Sequence, residues 1–181
     1  MADQPAPADG SLDDLIKSHI RDVPDFPEPG ISFKDITPLL ADGPAFAAVI
    51  SALATGQRSI DKVAGIEARG FILAAPVATQ LGCGFVPVRK AGKLPAATYR
   101  EDYQLEYGTA TIEVHTDAFE PGEQVLIIDD VLATGGTALA TADLVRRAGA
   151  EVAGVAVLLE LSFLNGRAKL GDLPFTALLT V

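Results

Sequence analysis

The chain of 181 residues carries a formal net charge of −10, and 49% of its residues are hydrophobic, enough for one domain with a sizeable core. The negative charge argues against general binding to DNA or RNA, whose phosphates require a basic surface, but it permits an anionic small molecule held by a few cations. No signal-peptide pattern and no apolar run near the roughly 20 residues of a membrane span is found, so we expect a soluble, cytoplasmic protein without a nucleic-acid or membrane partner.

The N-terminal third predicts a tail, two helices and a loop between them. Residues 1–10 are rich in proline and are expected to be disordered. Ser11 is a suitable N-cap for a helix over 12–20, whose first turn contains two aspartates. Three prolines within 22–30 predict a loop, and a second helix is expected over 44–54.

From residue 62 onward, predicted strands and helices alternate. Strands are expected at 62–65, 85–88, 125–128 and 152–159, and helices at 71–81 and 137–148. This order is typical of an α/β fold in which helices flank a mostly parallel sheet. The polar, Tyr-rich segment 99–113 breaks the pattern and predicts either a two-stranded arm or a mobile lid. The closing residues 177–181 predict an edge or buried strand. Since no second domain is recognised, residues 11–181 are interpreted as a single domain.

The most informative string is V-L-I-I-D-D-V-L-A-T-G-G-T at 125–137, in which an apolar run leads into two acids and a glycine turn. Parallel sheets bind ligands at the carboxyl ends of their strands. Asp129 and Asp130 are hydrogen-bond acceptors that suit vicinal hydroxyls, and a glycine pair before a helix can present backbone N–H groups to an anion. Separately, these features indicate only a strand end and a helix N-cap. Together they predict one ligand that has both hydroxyls and a phosphate.

The same string resembles the phosphoribosyl-pyrophosphate (PRPP) binding motif of the type I phosphoribosyltransferases. Further strings narrow the resemblance to the adenine phosphoribosyltransferase family: P-D-F-P-E-P-G-I-S-F-K-D-I-T-P at 24–38, G-I-E-A-R-G-F at 65–71, V-R-K-A-G-K-L-P at 88–95, L-E-Y-G at 105–108 and L-L-E-L-S-F-L-N-G-R at 158–167. This resemblance implies a central, mostly parallel sheet flanked by helices, with a small hood at about 22–40 and a mobile lid at about 95–113. It also implies that adenine and PRPP react to give AMP and pyrophosphate. Mg²⁺ would be held mainly by ligand oxygens and water, with no metal site built from the protein alone.

The resemblance assigns the residues that bind PRPP. Asp129 and Asp130 would hold the ribose hydroxyls. The 5′-phosphate would be cradled by a run of five residues, Ala133, Thr134, Gly135, Gly136 and Thr137. Pyrophosphate would be bound by four basic residues and a cis peptide bond, namely Arg69, Arg89, Lys90 and Lys93 with the bond between Glu67 and Ala68. Arg89 would reach the site of the neighbouring subunit in a homodimer. Without the resemblance, the basic run at 89–93 indicates only a solvated loop.

Base recognition and proton transfer are also assigned by resemblance. Phe33 would stack on adenine, with the main chain of Ser32 and Lys34 at the edge of the base and Val131 and Leu132 forming an apolar floor. Within the lid, Glu106 and Tyr107 would close over the site. Glu106 would exchange a proton with N7 of adenine, for which a carboxyl group with a raised pKa is suited.

Two alternatives to this function stay open from the sequence. The first is a phosphoribosyltransferase for another base, such as xanthine, guanine or orotate. The second is a non-catalytic regulator that uses the fold to sense PRPP. The segments around Phe33 and Glu106 favour adenine, and an acidic chain without an added domain does not favour a regulator that binds nucleic acid. The two histidines are far apart in sequence, and the single cysteine, Cys83, reads as a small buried residue.

Overall fold

The computed structural model describes residues 11–104 and 109–181. The chain divides into two compact units, one that ends at Val49 and one that begins at Ile50. Within the described ranges, no helix combines the length and the apolar character that crossing a lipid bilayer requires.

The first unit contains short elements joined by turns. In chain order they are α1 (Leu12–Ser18), β1 (Arg21–Val23), β2 (Phe33–Asp35), α2 (Thr37–Ala41) and the start of α3 (Gly43–Ala54). The predicted cap of α1 is confirmed, since the hydroxyl of Ser11 accepts a hydrogen bond of 3.3 Å from the backbone of Asp14. The helix at 44–54 is also confirmed.

Two expectations for the first unit were wrong, and one helix was missed. Helix α1 ends at Ser18 and not at residue 20, because the N–H of His19 turns back to the carbonyl of Ile16. The segment 22–30 is not entirely a loop, since its first residues belong to β1, which pairs antiparallel with β2. This pairing joins residues ten or more positions apart, and three-residue strands are too short to show an alternating pattern. Helix α2, which has a proline in its first turn, was not expected.

The second unit is built on one sheet. In the described part of the chain this sheet has seven strands, in the order β5-β6-β4-β3-β7-β8-β9. Their bounds are β3 (Lys62–Ile66), β4 (Gly84–Lys90), β5 (Thr98–Gln104), β6 (Thr109–His115), β7 (Gln124–Leu132), β8 (Glu151–Glu160) and β9 (Phe175–Thr180). The helices of this unit are α4 (Arg69–Leu81), α5 (Gly136–Arg147), a short 3₁₀ helix (Ser162–Leu164) and α6 (Arg167–Leu170).

The expected mostly parallel α/β sheet is confirmed. Strands β4, β3, β7, β8 and β9 run parallel to one another, while β6 pairs antiparallel both with β4 and with the edge strand β5. The segment 99–113 therefore forms the two-stranded arm, with 105–108 outside the described residues. The predicted final strand is the edge strand β9. The run 125–128 is at most 1% exposed, as a strand covered on both faces should be.

The main correction in this unit concerns β7. The strand was predicted to end at residue 128, but it continues to Leu132, so Asp129 and Asp130 lie within it. The reason is that β8 extends alongside it, with Val131 opposite Leu159. Helices α4 and α5 also begin slightly earlier than predicted, at Arg69 and Gly136.

Candidate functional site

The candidate site lies at the carboxyl ends of β3 and β7. These two strands are parallel neighbours, with Gly65 opposite Ile128. Their register brings the turn at 67–68 and the start of α4 beside the acidic pair near the carboxyl end of β7. Turns that follow adjacent parallel strands emerge at the same edge of a sheet, which is where such folds bind ligands.

An ion pair joins the start of α4 to β7. The Nε of Arg69 lies 2.6 Å from Oδ2 of Asp130, whose residue is only 5% exposed. The backbone N–H of Asp130 donates a 2.9 Å hydrogen bond to Oδ1 of Asp129. Burial and the neighbouring charge of Asp130 raise the pKa of Asp129 well above its usual value, although Arg69 opposes this change. The site therefore concentrates negative charge that a hydroxyl donor or a cation stabilises.

Gly70 explains how α4 approaches the acidic pair so closely. A Cβ atom at this position would lie 2.9 Å from Oδ1 of Asp129 and 2.9 Å from the carbonyl of Ile128. A side chain would push the first turn of α4 away from β7. The glycine after Arg69 is thus required by this close approach.

The predicted phosphate loop connects β7 to α5. Gly135 is the N-cap of α5 and has a φ of +77°. Because it is a glycine, no side chain at the N-cap occupies the N-terminal end of the helix. The first backbone N–H groups of α5 have no intrahelical partner by geometry, and the positive end of the helix dipole lies beside them. This arrangement suits an anion such as a phosphate. Ala133, Thr134, Gly136 and Thr137 are partly exposed around it.

Gly166 packs against the backbone of the phosphate loop, and no role was predicted for it from the sequence. A Cβ atom on Gly166 would overlap the carbonyl of Ala133, and one on Gly135 would overlap the carbonyl of Gly166. Two glycine backbones are therefore packed against each other without room for a side chain. Gly166 belongs to the quoted string at 158–167, but its contact with a loop so distant in the chain is visible only in three dimensions.

The residues expected at the pyrophosphate end come together around Glu67. The peptide bond between Glu67 and Ala68 is cis, as expected. The carboxylate of Glu67 accepts a 2.9 Å hydrogen bond from the backbone of Lys90, forms an ion pair with Nζ of Lys93, and lies 3.5 Å from Nε of Arg89. Burial raises the pKa of Glu67, but its hydrogen bonds and the adjacent positive charges outweigh this and hold the pKa below its usual value. The side chain of Lys90 is exposed.

A second carboxylate in this region was not identified from the sequence. Glu113, on β6, is 0% exposed. It accepts hydrogen bonds from the backbone N–H groups of Lys93 and Leu94, both at 3.0 Å, and from the side chains of Thr98 and Arg100, at 3.2 and 3.1 Å. Burial acts to raise the pKa of Glu113, yet these donors and the Arg100 charge lower it overall. A glutamate in a strand of alternating character gives no sign of such partners.

The residues expected to bind the base are only partly described. In the first unit, the ring of Phe33 packs edge-to-face on Phe26, with centroids 5.2 Å apart, and Nζ of Lys34 lies 2.5 Å from Asp22. Ser32 is exposed. In the second unit, Val131 is half-buried, whereas Leu132 is 2% exposed and belongs to the core. Glu106 and Tyr107 lie outside the described residues.

Comparison with known proteins identifies close relatives. Residues 34–171 match the model of the phosphoribosyl transferase domain family. An adenine phosphoribosyltransferase from a Nocardioides species is 66% identical over 168 residues, which cover 90% of this chain and 91% of that protein.

Solved structures agree with this result. A crystal structure of adenine phosphoribosyltransferase from Rhodothermus marinus superposes with a TM-score of 0.90 at 55% identity, covering 94% of this chain and 99% of that one. The enzyme from Saccharomyces cerevisiae, crystallised with adenine and an imino-altritol bisphosphate, superposes with a TM-score of 0.89 at 38% identity, covering 93% of this chain and 99% of that one.

Proposed function

This chain belongs to the adenine phosphoribosyltransferases, which convert adenine and PRPP to AMP and pyrophosphate in purine salvage, and we propose how its residues divide that work. The observation that carries the proposal is the ion pair between Arg69 and Asp130, at the sheet edge where the phosphate loop begins. This ion pair places the carboxylates of Asp129 and Asp130, which can accept hydrogen bonds from hydroxyl groups, next to a guanidinium group that can bind pyrophosphate.

The ribose 5-phosphate part of PRPP binds at the end of β7. Asp129 and Asp130 accept hydrogen bonds from the two ribose hydroxyls, which are donors. The 5′-phosphate occupies the loop of Ala133, Thr134, Gly135, Gly136 and Thr137, where backbone N–H groups and threonine hydroxyls surround it. The support is the positive φ of Gly135 and the helix N-terminus that follows it.

The pyrophosphate part of PRPP binds at the end of β3. Arg69, Arg89, Lys90 and Lys93 provide positive charge, and the main chain at Glu67 and Ala68 lies among them. During transfer, positive charge develops on the ribose ring while negative charge leaves with pyrophosphate. Carboxylates beside the ribose and cations beside the leaving group therefore stabilise the transition state.

Mg²⁺ is the proposed cofactor, and the residues at this edge fit it. Asp129 and Asp130 supply oxygen atoms, the ligand type that Mg²⁺ prefers, in the outer surroundings of an ion that arrives with PRPP. PRPP oxygens and water would hold most of the ion, because Mg²⁺ gives up its water reluctantly. A bound ion would supply positive charge that offsets part of the negative charge on pyrophosphate.

Adenine recognition rests on the segment of Phe33. Its ring offers a flat apolar face for stacking, while the main chain at Ser32 and Lys34 offers donors and acceptors to the edge of the base. Val131 and Leu132 supply apolar surface, of which Val131 has the larger exposed share. Phe33→Leu should raise the KM for adenine and leave the KM for PRPP unchanged.

Glu106, which precedes Tyr107 in the sequence, exchanges a proton with N7 of adenine. We expect Glu106→Gln to lower kcat about tenfold or more, a typical contribution of a general acid or base, with little change in PRPP affinity. Steady-state kinetics with each substrate varied in turn measure both quantities. Unchanged turnover would remove Glu106 from the mechanism.

One assay tests the function and its alternatives together. The protein is incubated with PRPP, Mg²⁺ and one nucleobase at a time, and the nucleotide product is measured. AMP from adenine alone supports the proposal; product from guanine, xanthine or orotate, or no product from any base, contradicts it. We also propose a cytoplasmic homodimer in which Arg89 reaches the partner's site. Equal sedimentation of the native protein and a monomer standard would contradict the dimer.

A further inference from the structure

Glu113 is a fully buried carboxylate with no assigned part in the reaction. It stands on β6 between two basic residues, since Arg89 on β4 and Arg100 on β5 are directly opposite it in the sheet. Its Oε1 accepts the backbone N–H groups of Lys93 and Leu94, and its Oε2 accepts the donors of Thr98 and Arg100. One carboxylate thus joins the loop after β4 to the first residues of the two-stranded arm.

The loop held in this way carries the cations of the pyrophosphate end. Lys93 is fixed at three points: its N–H donates to Glu113, its carbonyl accepts a 3.3 Å hydrogen bond from Nη1 of Arg89, and its Nζ pairs with Glu67. Glu113 is the most completely buried of the three partners, and burial is the condition under which a charge-assisted hydrogen bond is strong. The other two partners keep some exposure, since the side chain of Arg89 is 33% exposed and that of Glu67 is 11% exposed.

We propose that Glu113 is a positioning residue for pyrophosphate: its carboxylate fixes the main chain at 93–94 and thereby places Lys93 and Arg89 before the ligand arrives. The inference rests on the proposed pyrophosphate-binding role of these two cations. Preorganised donors cost less to bind a ligand than donors that must first be ordered. Glu113 itself touches no substrate.

Glu113→Gln is the informative substitution, because it changes the hydrogen-bonding chemistry of the side chain and not its size. A carboxylate presents an acceptor on each oxygen, whereas a carboxamide of the same size has one acceptor and one NH₂ donor. In Glu113→Gln, the NH₂ group therefore faces either the N–H groups of Lys93 and Leu94 or the donors of Thr98 and Arg100. The variant therefore loses the hydrogen bonds on one side of the carboxylate, with little change in side-chain volume.

The test compares ligands that do and do not contain pyrophosphate. We expect Glu113→Gln to weaken pyrophosphate binding and to raise the KM for PRPP by about tenfold each, the size of effect that loss of a buried charged hydrogen bond produces. AMP affinity and the adenine KM should each change by less than about threefold. A fall in kcat is expected as well, because the displaced cations stabilise the negative charge that leaves with pyrophosphate. Calorimetric titration and steady-state kinetics give these values.

Two further variants separate the inference from its premise. Glu123→Gln is the matched control. It removes a half-buried carboxylate that lies 3.5 Å from Lys62, at the amino end of β3 and so away from the proposed ligand site. This variant should leave the ligand affinities and the kinetic constants unchanged. Lys93→Ala tests the premise by itself. If Glu113 acts through Lys93, adding Glu113→Gln to Lys93→Ala should weaken pyrophosphate binding by less than about threefold more.

The outcomes are distinct. Normal pyrophosphate affinity in Lys93→Ala overturns the role of Lys93 and the inference with it. Weakened binding in Lys93→Ala together with normal binding in Glu113→Gln overturns the inference alone, as does equal weakening of AMP and pyrophosphate in Glu113→Gln. If Glu113→Gln does not fold, Glu113→Asp and Thr98→Val replace it, with pyrophosphate affinity about threefold lower expected and unchanged affinity in both contradicting the proposal.

Discussion

The phosphate loop at 133–137 and the basic segment at 89–95, which comprises the end of β4 and the loop after it, are built in different ways. The phosphate loop is shaped by main chain: Gly135 has a positive φ and packs directly on the backbone of Gly166. The basic segment is shaped by side chains, with Lys93 and Arg89 held by the carboxylate of Glu67. The phosphate loop contains no charged side chain, whereas the ion pairs of the basic segment can be exchanged for a ligand.

This difference matches the fates of the two ligand groups. The 5′-phosphate is present in both PRPP and AMP, so its site can be rigid throughout the reaction. Pyrophosphate is bound at the start and must leave at the end. Side chains that already have anionic partners in the protein can exchange them for pyrophosphate and return to them after release, which avoids leaving buried charges unpaired.

The largest effect should come from filling the space behind the phosphate loop. Gly166→Ala places a methyl group where the carbonyl of Ala133 lies, so the loop must move. We expect kcat/KM for PRPP to fall about 100-fold, equivalent to about 2.7 kcal/mol of transition-state stabilisation. Gly43→Ala, where a Cβ meets open space, is the control. A Gly166→Ala enzyme with normal kinetics would show that the loop is not rigid.

A smaller effect should follow from removing the positive charge of Arg69, which pairs with Asp130. Arg69→Gln leaves Asp130 buried without its charged partner and takes a cation from the pyrophosphate end. The KM for PRPP should rise about tenfold, and pyrophosphate affinity should fall more than AMP affinity. The exposed Arg58 provides the control variant, Arg58→Gln. Equal losses for AMP and pyrophosphate would contradict the proposed division between the regions.

Salt should act on the two regions unequally. Raising the salt concentration from 0.05 to 0.5 M screens exposed charges and shortens the Debye length several-fold, so pyrophosphate affinity should fall about threefold more than AMP affinity. Titrations at constant free Mg²⁺ measure both. Parallel salt dependence for the two ligands would argue that both sites rely on side-chain charge to the same extent.

The smallest effect concerns stability and not catalysis. The pKa of Asp129 is raised in the folded protein, so the folded state binds its proton more tightly than the unfolded state, and stability is lost as the pH rises through that pKa. Asp129→Asn removes this cost and keeps an oxygen for the N–H of Asp130. Its Tm at pH 7.5 should exceed that of the natural chain by about 2 °C, roughly 1 kcal/mol or less, although ribose binding is weakened.

The pH dependence gives the check on this prediction. The difference in Tm should be smaller at pH 4 than at pH 7.5, because at pH 4, close to the ordinary aspartate pKa of about 3.9, the carboxyl group is about half protonated in the unfolded state as well. The exposed Asp117 provides the control, since Asp117→Asn should leave Tm unchanged at both pH values. A Tm advantage for Asp129→Asn that is equal at pH 4 and pH 7.5 would rule out the charge as its cause.

The sequence by itself determined the α/β fold and the chemistry of the sheet edge. Continuous apolar runs bounded by turn residues mark buried parallel strands, and the string at 125–137 places acids and glycines next to one of them. These signals are local: each depends on the order of neighbouring residues. The resemblance to adenine phosphoribosyltransferases is likewise carried by short strings, and the comparisons confirm it.

Only the tertiary structure showed which distant residues meet. The extension of β7 to Leu132 depends on β8 beside it, and the packing of Gly166 on Gly135 depends on where the chain returns after β8. In the same way, Glu113 becomes the partner of Lys93 because the loop after β4 folds over β6. Such contacts leave no periodic or local pattern in the sequence, because their energies come from burial and hydrogen bonding between segments that are adjacent only in the folded chain.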